Sequence, residues 1–279
     1  MTMSPPYLHA PSAGFADPLY ARIADLIYRE AGIVLGPEKR GMMDSRLHRR
    51  IAANNCTSLA DYVQRLDNGA LAGERDHLVS ALTTNFTHFF REAHHFDFLR
   101  GTVFPSTPGD PRALRIWSAG CSSGQEPYSI AIAAREAGRR ATIVATDIDH
   151  AILERARSAR YRDGELTGIP PQSRQQFFAP EGDEWVLRQP VRDMVRFEHM
   201  NLHGAWTFDG PFDVIFCRNV IIYFDAAAQL RLWDKFCRQL RPGGWLLIGH
   251  SERIPDHLRT RLRPVGHTVY QYDPGRGET

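Results

Sequence analysis

The chain has 279 residues, of which 43% are hydrophobic and 24% charged, and its formal net charge is +2. This length predicts one or two domains, and the composition is typical of globular proteins. So small a net charge excludes a nucleic-acid-binding protein that relies on bulk electrostatics, and no nucleic-acid partner is expected.

The sequence has no pattern typical of membrane insertion or secretion. No apolar run approaches the ~20 residues that a membrane helix requires. The first 20 residues contain no lysine or arginine ahead of an apolar core, so a signal peptide is not expected. The four cysteines are scattered without metal-ligand spacing, and disulfides are not expected in a core-bearing chain of this size. The sequence therefore predicts a cytoplasmic protein.

An all-α domain is predicted over residues 15–100. Its first helix begins at Asp17 and Pro18, which provide an N-cap and a proline at the first helical position. Gly32 can end this helix, because glycine readily adopts the left-handed conformation that ends helices. Two later helices are predicted to begin at Ser58 and at about Glu74.

The second helix of this domain, predicted from about residue 37 to residue 54, has a basic flank. Lys39, Arg46 and Arg50 fall within roughly 40° of one another at 3.6 residues per turn. A solvated helix flank and a surface that contacts an acidic partner are both compatible with this pattern.

An α/β domain is predicted over residues 101–279, beginning in a proline-containing segment, residues 102–112, that is typical of a linker. Apolar strands then alternate with helices, as in a parallel sheet covered on both faces. An alternating tail at residues 267–272 predicts an edge strand. The predicted strands are residues 114–119, 142–146, 195–198, 212–217 and 244–248, and the predicted helices are residues 126–137 and 225–240.

One segment interrupts this alternation. About forty residues lie between Tyr161 and Asn201, and they contain a possible short hairpin around residues 184–192. We interpret this segment as a small β-subdomain inserted into the α/β domain, at about residues 179–194.

The first predicted strand leads into a turn of small residues, 118–124, with the sequence SAGCSSG. Ala119 and Gly120 would let a ligand approach the backbone at the carboxyl end of the strand, where open α/β sheets bind cofactors. A complete G-x-G-x-x-G pattern is missing, which weakens a dinucleotide interpretation. A tight strand–helix turn without a ligand explains the same residues.

Asp147 lies at the end of the second predicted strand. A carboxylate at this position can accept hydrogen bonds from two ribose hydroxyls, and its separation from Gly120 fits a βαβ unit. Asp147 could instead cap the following helix, but Asp149 is available for that role. The two strand ends together predict an adenosine-binding site for either a methyl donor or a nicotinamide cofactor.

The fourth predicted strand is followed by Arg218, Asn219 and, four residues beyond Asn219, Tyr223. Enzymes that methylate amino groups of adenine commonly have an Asn/Asp-Pro-Pro-Tyr/Phe stretch here, and this chain has no such proline pair. A polar Arg-Asn pair followed by a tyrosine is better suited to an anionic oxygen acceptor.

Six stretches of the chain together resemble the CheR family of chemotaxis receptor glutamate methyltransferases. They occur in the family's order, and the resemblance extends from about Tyr20 to Tyr270. The stretches are residues 84–92, 117–119, 124–129, 145–149, 216–224 and 249–252. The resemblance implies a Rossmann-like S-adenosylmethionine-dependent methyltransferase domain with a small β-subdomain, preceded by an all-α domain that faces the receptor.

The resemblance also implies roles for individual residues. Arg91 and Tyr223 match the residues nearest the methyl transfer. The residues implied to line the methyl-donor pocket are Asn85, Thr87, Arg91, Ala119, Gly120, Glu126, Asp147, Asn201, Leu202, Arg218 and Asn219. The expected cofactor is S-adenosylmethionine and the expected product is S-adenosylhomocysteine.

The implied reaction needs alignment and charge control rather than a base. A glutamate side chain, with an ordinary pKa near ~4.3, is already ionised at neutral pH. Arg91 can bind a carboxylate at two points, either that of the acceptor or that of the donor, and Tyr223 offers an aromatic face and a hydroxyl. The alternative for Arg91 is an ion pair with Glu92 or Asp97, and for Tyr223 a core position.

Two other groups of residues contain side chains typical of metal sites or of hydrolytic enzymes. His94 and His95, like His199 and His203, are not accompanied in sequence by a set of carboxylate or cysteine ligands, so no metal site is expected. Residues 250–252, His-Ser-Glu, are adjacent in one segment and cannot line up as a catalytic triad.

The resemblance implies that Lys39, Arg46 and Arg50 face the cytoplasmic helical domain of methyl-accepting chemotaxis receptors. Some family members also bind a C-terminal receptor pentapeptide by adding a strand to the β-subdomain. Here the loop at residues 179–184 is short and acidic, and Pro190 interrupts the following segment, so no dependence on a tether is expected. The alternative functions are an O-methyltransferase for another protein acceptor and a non-catalytic module that binds the methyl donor.

Overall fold

The computed structural model describes residues 14–106 and 112–277, which form two compact units. The helical unit extends to residue 84 and also includes residues 223–228, and the sheet unit contains residues 85–222 and those from 229 onward. The sequence placed the domain boundary between residues 100 and 101, so the structure moves residues 85–100 into the sheet unit. Within the predicted linker, residues 107–111 lie outside the described part.

The helical unit begins with a helix whose two ends match the sequence prediction. Asp17 accepts a hydrogen bond from the Leu19 amide at 2.9 Å, and Gly32, at φ 70°, donates to the Tyr28 carbonyl at 2.8 Å. Residues 223–228 join this unit through a bridge between Ile33 and Phe224. Its helices are α1 Pro18–Ala31, α2 Arg40–Ala53, α3 Leu59–Asp67 and α4 Glu74–Leu82.

A buried carboxylate ties α2, α3 and α4 together. The side chain of Glu74, 3% exposed, accepts hydrogen bonds from Arg50 Nε at 2.8 Å and from the Tyr62 hydroxyl at 2.6 Å. Burial and this carboxylate raise the pKa of Tyr62 well above its ordinary value. Arg46 donates to the Ala81 carbonyl at 3.2 Å and to the Thr83 carbonyl at the end of α4. Two of the three residues of the predicted basic flank are therefore bonded inside the helical unit, and only Lys39 is exposed.

We expect Arg50→Ala to destabilise the protein by about 3 kcal/mol, because it leaves the buried Glu74 carboxylate without its cation. The measurement is thermal and urea-induced unfolding. Arg49→Ala is the matched control, since Arg49 is the neighbouring arginine of α2 and is exposed. Equal midpoints for the two variants would show that the Arg50–Glu74 pair contributes little to stability.

The sheet unit is built on a seven-stranded sheet of order β6-β2-β1-β7-β8-β10-β9. The first five strands in this order are parallel, and β10 runs antiparallel to both β8 and β9. The ten strands of the two sheets in this unit are β1 Leu114–Ala119, β2 Ala141–Asp147, β3 Arg160–Arg162, β4 Phe178–Glu181, β5 Glu184–Leu187, β6 Val195–His199, β7 Phe212–Cys217, β8 Leu240–Ile248, β9 Leu262–Gly266 and β10 Val269–Tyr272.

All five predicted parallel strands are confirmed, but the predicted edge strand is wrong. β10, which covers most of residues 267–272, lies between β8 and β9, and β9 forms the edge. The sequence prediction missed β9 because Pro264 interrupts its pattern. A proline has no amide hydrogen to donate and is tolerated in an edge strand.

Helices cover this sheet, and its core is apolar. The side chains of Ile116, Ile143, Val214 and Leu247, one from each of four strands, are fully buried. The remaining helices are α5 His94–Phe98, α6 Gln125–Glu136, α7 His150–Ser158, α8 Pro171–Phe177, α9 Gln189–Arg192 and α10 Ala226–Gln239, with a π-helical turn at Leu99–Val103 and 3-10 turns at Pro37–Lys39, Asp163–Leu166, Ile221–Tyr223, Asp256–Leu258 and Pro274–Gly277. Within the described residues, no helix has the length and apolar character needed to cross a membrane.

The inserted segment forms a second sheet of three antiparallel strands in the order β3-β5-β4. A hairpin is present, but it joins β4 to β5 and does not extend over the predicted residues 184–192. Pro190 lies at the start of α9, because proline fits the first turn of a helix and cannot continue a central strand. The strands of the β-subdomain therefore lie within residues 160–162 and 178–187, whereas the sequence predicted a subdomain at about residues 179–194.

Candidate functional site

The carboxyl ends of β1, β2 and β7 meet at one edge of the main sheet. Ala119 is in register with Thr146 of β2 and with Cys217 of β7. Gly120, Asp147 and Arg218, which follow or end these strands, are therefore neighbours. This is the edge at which open α/β sheets bind ligands.

The turn after β1 depends on a glycine at residue 120. Gly120 has φ 77°, and its amide donates to the Thr146 carbonyl at 2.8 Å. A Cβ added to Gly120 would lie 2.3 Å from Val220 Cγ2. The glycine thus lets the segment after β7 pack directly against the turn after β1.

Asp147 is 8% exposed, and both of its carboxylate oxygens are bonded to the backbone. Oδ2 accepts from the Ser122 amide at 2.8 Å, and Oδ1 accepts from the Asp149 amide at 3.0 Å. Burial raises the pKa of Asp147 to about 6, although these amides oppose the shift. Each oxygen retains capacity for a further hydrogen bond, as a diol ligand would require.

Asp149 caps α7, as the sequence predicted. Its Oδ1 accepts from the Ala151 and Ile152 amides at 2.9 and 3.1 Å. Its Oδ2 accepts from Asn85 Nδ2 at 2.8 Å, which brings the predicted donor-pocket residue Asn85 to the end of β2. Asp147 is consequently not needed as a helix cap.

Arg218 lies at the centre of a buried ionic network. Its side chain is 2% exposed, with Nη1 3.1 Å from Glu126 Oε2 and Nη2 3.6 Å from Glu92 Oε2. Glu126 also accepts from the Ser118 hydroxyl at 2.7 Å. Burial raises the pKa of Glu126, and Arg218 opposes this shift. The pKa of Glu92 is lowered, because Arg218 and His250 together outweigh the effect of burial.

Arg91 lies next to this network in a strained stretch of backbone. Phe90 and Glu92, on either side of it, have φ values of 53° and 56°, in the left-handed region that bulky residues rarely occupy. The Arg91 carbonyl accepts a hydrogen bond from Arg218, which holds the stretch in place.

Arg91 as a residue is half-buried, and its guanidinium makes few contacts. Nη1 donates to the Phe86 carbonyl at 3.1 Å, and the guanidinium carbon lies 6.0 Å from the centre of the Phe86 ring, a side chain that is 74% exposed. Within the described residues it pairs with neither Glu92 nor Asp97, so the alternative of a surface ion pair is not formed.

Asn201 and Leu202 follow β6, and the neighbouring Met200 amide donates to the Asp147 carbonyl at 2.9 Å. The Lys235 ammonium donates to the Leu202 and Gly204 carbonyls at 2.9 and 2.6 Å and fixes this loop. The loop therefore lies beside Asp147, and the implied role of Asn201 and Leu202 in the donor pocket stays a prediction.

The other predicted site residues are placed as follows. Thr87 is half-buried in the segment between Asn85 and Arg91, and Asn219 follows Arg218 at φ 60°. Tyr223 ends the 3-10 turn Ile221–Tyr223, belongs to the helical unit by its contacts, and is half-buried rather than fully in a core. Its carbonyl accepts a hydrogen bond from the Val34 amide at 2.9 Å.

From the sequence, no role in the site is assigned to three residues that the structure places at this edge. The Ser122 hydroxyl is buried without a partner beside Asp147. Glu252 is buried and Glu92 half-buried, and both acids make several contacts. Their positions depend on contacts with distant segments, so spacing within the sequence carries no signal for them.

The structure corrects the premise that no carboxylate accompanies His94 and His95. Glu92 supplies a carboxylate beside His94 and His95, with candidate ligand atoms all within 4.8 Å. The same carboxylate already pairs with Arg218, and His95 Nε2 already has a hydrogen-bond partner in the Thr268 hydroxyl at 2.8 Å. We therefore assign no metal to this group.

Residues 250–252 do not form a catalytic triad. His250 contacts Glu92 at 3.1 Å, whereas Glu252 accepts hydrogen bonds from backbone amides.

Comparison with known families matches both units. Residues 85–271 match the model "CheR methyltransferase, SAM binding domain", and residues 18–83 match "CheR methyltransferase, all-alpha domain". The chain is 41% identical over 264 residues to the chemotaxis protein methyltransferase of Escherichia coli, covering 91% of each chain. It is 39% identical over 259 residues to a probable chemotaxis protein methyltransferase of Rhizobium etli, covering 88% of this chain and 97% of that one.

The α/β sheet, the ligand-binding edge and the matched domain define an S-adenosylmethionine-dependent methyltransferase, and its cofactor is S-adenosylmethionine. The chain belongs to the CheR methyltransferase family, whose matched relatives are chemotaxis protein methyltransferases. The predicted combination of an all-α domain with a Rossmann-like methyltransferase domain is confirmed.

Proposed function

We propose that the protein transfers the methyl group of S-adenosylmethionine to glutamate carboxylates of chemoreceptors, forming glutamate methyl esters and S-adenosylhomocysteine. The observation that carries this proposal is that Arg91, a half-buried residue beside the ligand-binding edge, has no carboxylate partner among the described residues. A guanidinium is suited to bind a planar carboxylate at two points.

The residues at the edge of the sheet fit the methyl donor. The unpartnered Ser122 hydroxyl and the remaining lone pairs of Asp147 supply buried polar groups for a nucleoside. We assign the ribose hydroxyls to Asp147. The rest of the pocket is proposed to consist of Asn85, Thr87, Arg91, Ala119, Gly120, Glu126, Asn201, Leu202, Arg218 and Asn219.

The donor, when bound, supplies an electrophilic methyl group on a positively charged sulfur. A glutamate carboxylate oxygen forms the new bond to the methyl carbon as the carbon–sulfur bond breaks, and the bonding electron pair returns to sulfur. The acceptor is ionised at neutral pH, so no protein group has to remove a proton. Arg91 orients the acceptor, and Tyr223 is proposed to help align the reacting groups.

The test is transfer of labelled methyl groups to purified receptor cytoplasmic domains, followed by alkaline treatment. Carboxyl methyl esters release labelled methanol under alkali, whereas methylated amines retain the label. Label that stays on the receptor would contradict the glutamate assignment. No transfer to receptors, with transfer to another protein, would support the alternative of a different acceptor. A cytoplasmic location remains a prediction.

We propose that receptors dock on the helical domain through its exposed basic residues. Lys39 and Arg49 are exposed, whereas Arg46 and Arg50 are bonded within the unit. We expect the double variant Lys39→Glu, Arg49→Glu to raise the KM for receptor several-fold and to leave donor affinity unchanged. The wild-type KM should also rise with salt. An unchanged KM at low ionic strength would place the docking surface elsewhere.

We expect no dependence on a C-terminal receptor pentapeptide. The turn between β4 and β5 is only Gly182 and Asp183, and Arg160 pairs with Glu181 at 2.5 Å and lies 3.7 Å from Glu184 across the small sheet. This two-residue turn and the contacts of Arg160 with both acids leave little room for a receptor peptide to add as a further strand. Titration of receptor pentapeptides and methylation of receptors with and without the tail test this. Micromolar peptide binding would contradict it.

A further inference from the structure

Glu252 joins the segments that follow β7 and β8. Its side chain is 3% exposed, and its two oxygens accept hydrogen bonds from three backbone amides. Oε1 accepts from Val220 and Ile221, both at 2.9 Å, and Oε2 accepts from Gly249 at 2.6 Å. One side chain thus holds two loops that come from neighbouring parallel strands.

The charge of Glu252 is balanced by the backbone alone. Within the described part of the chain, its carboxylate has no lysine or arginine partner. Successive amides that converge on one anion form a binding nest, and hydrogen bonds to an ionised acceptor are about twice as strong as neutral ones. Burial raises the pKa of Glu252, while the amides of Gly249 and Ile221 oppose the shift. These contacts therefore restrain the backbone of both loops.

The residue that these restraints act on is Asn219. It has φ 60°, a left-handed conformation that asparagine tolerates better than most residues. It immediately precedes Val220, whose amide Glu252 holds. On its other side it packs against Gly249, where an added Cβ would lie 2.8 Å from the Asn219 amide nitrogen and 2.7 Å from its Nδ2. Gly249 and Glu252 therefore enclose Asn219 between them.

We propose that Glu252 is a positioning residue for the methyl-donor pocket: by holding the Val220 and Ile221 amides, it sets the left-handed conformation of Asn219. The inference rests on the proposed assignment of Asn219 to that pocket. Glu252 does not touch the reacting atoms, and its effect reaches the donor through the backbone at residues 219–221.

The test compares Glu252→Gln and Gly249→Ala with Ser251→Ala, an exposed neighbour in the same segment. Glutamine keeps the shape of the side chain but turns an NH₂ group toward the Gly249 amide, so one amide loses its acceptor. We expect Glu252→Gln and Gly249→Ala to weaken S-adenosylhomocysteine binding, measured by calorimetry, by roughly tenfold. The KM for donor should rise similarly, the KM for receptor should stay unchanged, and Ser251→Ala should bind as the wild type does.

The outcomes distinguish a failure of the positioning role of Glu252 from a failure of the proposed donor pocket, on which that role rests. Asp147→Asn is measured in parallel. If Glu252→Gln is folded and binds donor normally while Asp147→Asn does not, the positioning role is overturned and the pocket stands. If both variants bind donor normally, the pocket assignment fails and the positioning role with it. Equal increases of both KM values in Glu252→Gln, together with a lower unfolding temperature, would show a general structural role and overturn the inference.

Discussion

Replacing Arg91 by alanine should lower kcat/KM for receptor methylation by about a hundredfold or more. A hydrogen bond to a charged group contributes about 1.5–3 kcal/mol, and two such bonds from Arg91 to a carboxylate account for a loss of this size. The backbone of Arg91 is held by the left-handed residues Phe90 and Glu92 and by the bond from Arg218 to its carbonyl, and its guanidinium donates to the Phe86 carbonyl. Arg91→Lys should restore only part of the rate, because an ammonium cannot bind a carboxylate in the two-point geometry.

Steady-state kinetics with a receptor fragment and calorimetry with S-adenosylhomocysteine check this result. Weaker binding of S-adenosylhomocysteine would assign Arg91 to the donor carboxylate, and unchanged binding would assign it to the acceptor. Tyr223→Phe is the comparison, and it should keep measurable turnover since no base is required. A steep loss in Tyr223→Phe with unchanged donor affinity would show that its hydroxyl takes part in the reaction.

Asp147→Ala should weaken S-adenosylmethionine and S-adenosylhomocysteine alike, by at least about tenfold. Each hydrogen bond to a charged acceptor contributes about 1.5–3 kcal/mol, and Asp147 can accept one or two from the ribose. Asp147→Asn is the matched variant that keeps the shape and removes the charge. Calorimetry on folded variants is the measurement. Unchanged affinity would show that Asp147 is not the ribose acceptor.

The pKa of Asp147, raised by burial to about 6, adds a pH dependence to this expectation. Donor affinity should fall as pH is lowered through about 6, because a protonated carboxyl accepts hydrogen bonds less well than the carboxylate. Asp147→Asn should lack this dependence. A pH-independent affinity in the wild type between pH 5 and 8 would contradict the role of the carboxylate.

The same pKa predicts the opposite trend for the stability of the donor-free protein. The folded protein binds a proton at Asp147 more readily than the unfolded chain, whose carboxyl has the ordinary pKa of 3.8. The contribution of Asp147 to stability is therefore greatest at low pH and falls as pH rises from about 4 to 6. Comparing unfolding of the wild type and Asp147→Asn across this range isolates the contribution.

Several features of the molecule follow from the sequence by itself. The five parallel strands, the two ends of α1 and the Asp149 cap all depend on residues within a few positions of one another. Hydrophobic period, capping side chains and helix-ending glycines act locally, so a single sequence is enough to predict them. The six motifs, which occur in the order typical of the CheR family, indicated that family and, through the resemblance, S-adenosylmethionine as the methyl donor.

The partners of the charged residues were decided only by the tertiary structure. Arg50 meets Glu74 across 24 positions and Arg218 meets Glu126 across 92, so neither pair has a signature in spacing. Helical periodicity predicts that Arg50 shares a flank with Lys39 and Arg46, but it could not show that a buried carboxylate on α4 pairs with Arg50.

Strand order and the limits of the units were also decided by contacts between distant segments. β9 was missed because of Pro264. In the small sheet, the central strand β5 pairs with β3, which precedes α8 in the sequence, and with β4, which follows α8. Residues 85–100 look like a continuation of the helical domain, yet they pack with the sheet unit. Local propensity specifies which elements form, whereas burial of their apolar faces and pairing of their buried charges determine which elements become neighbours.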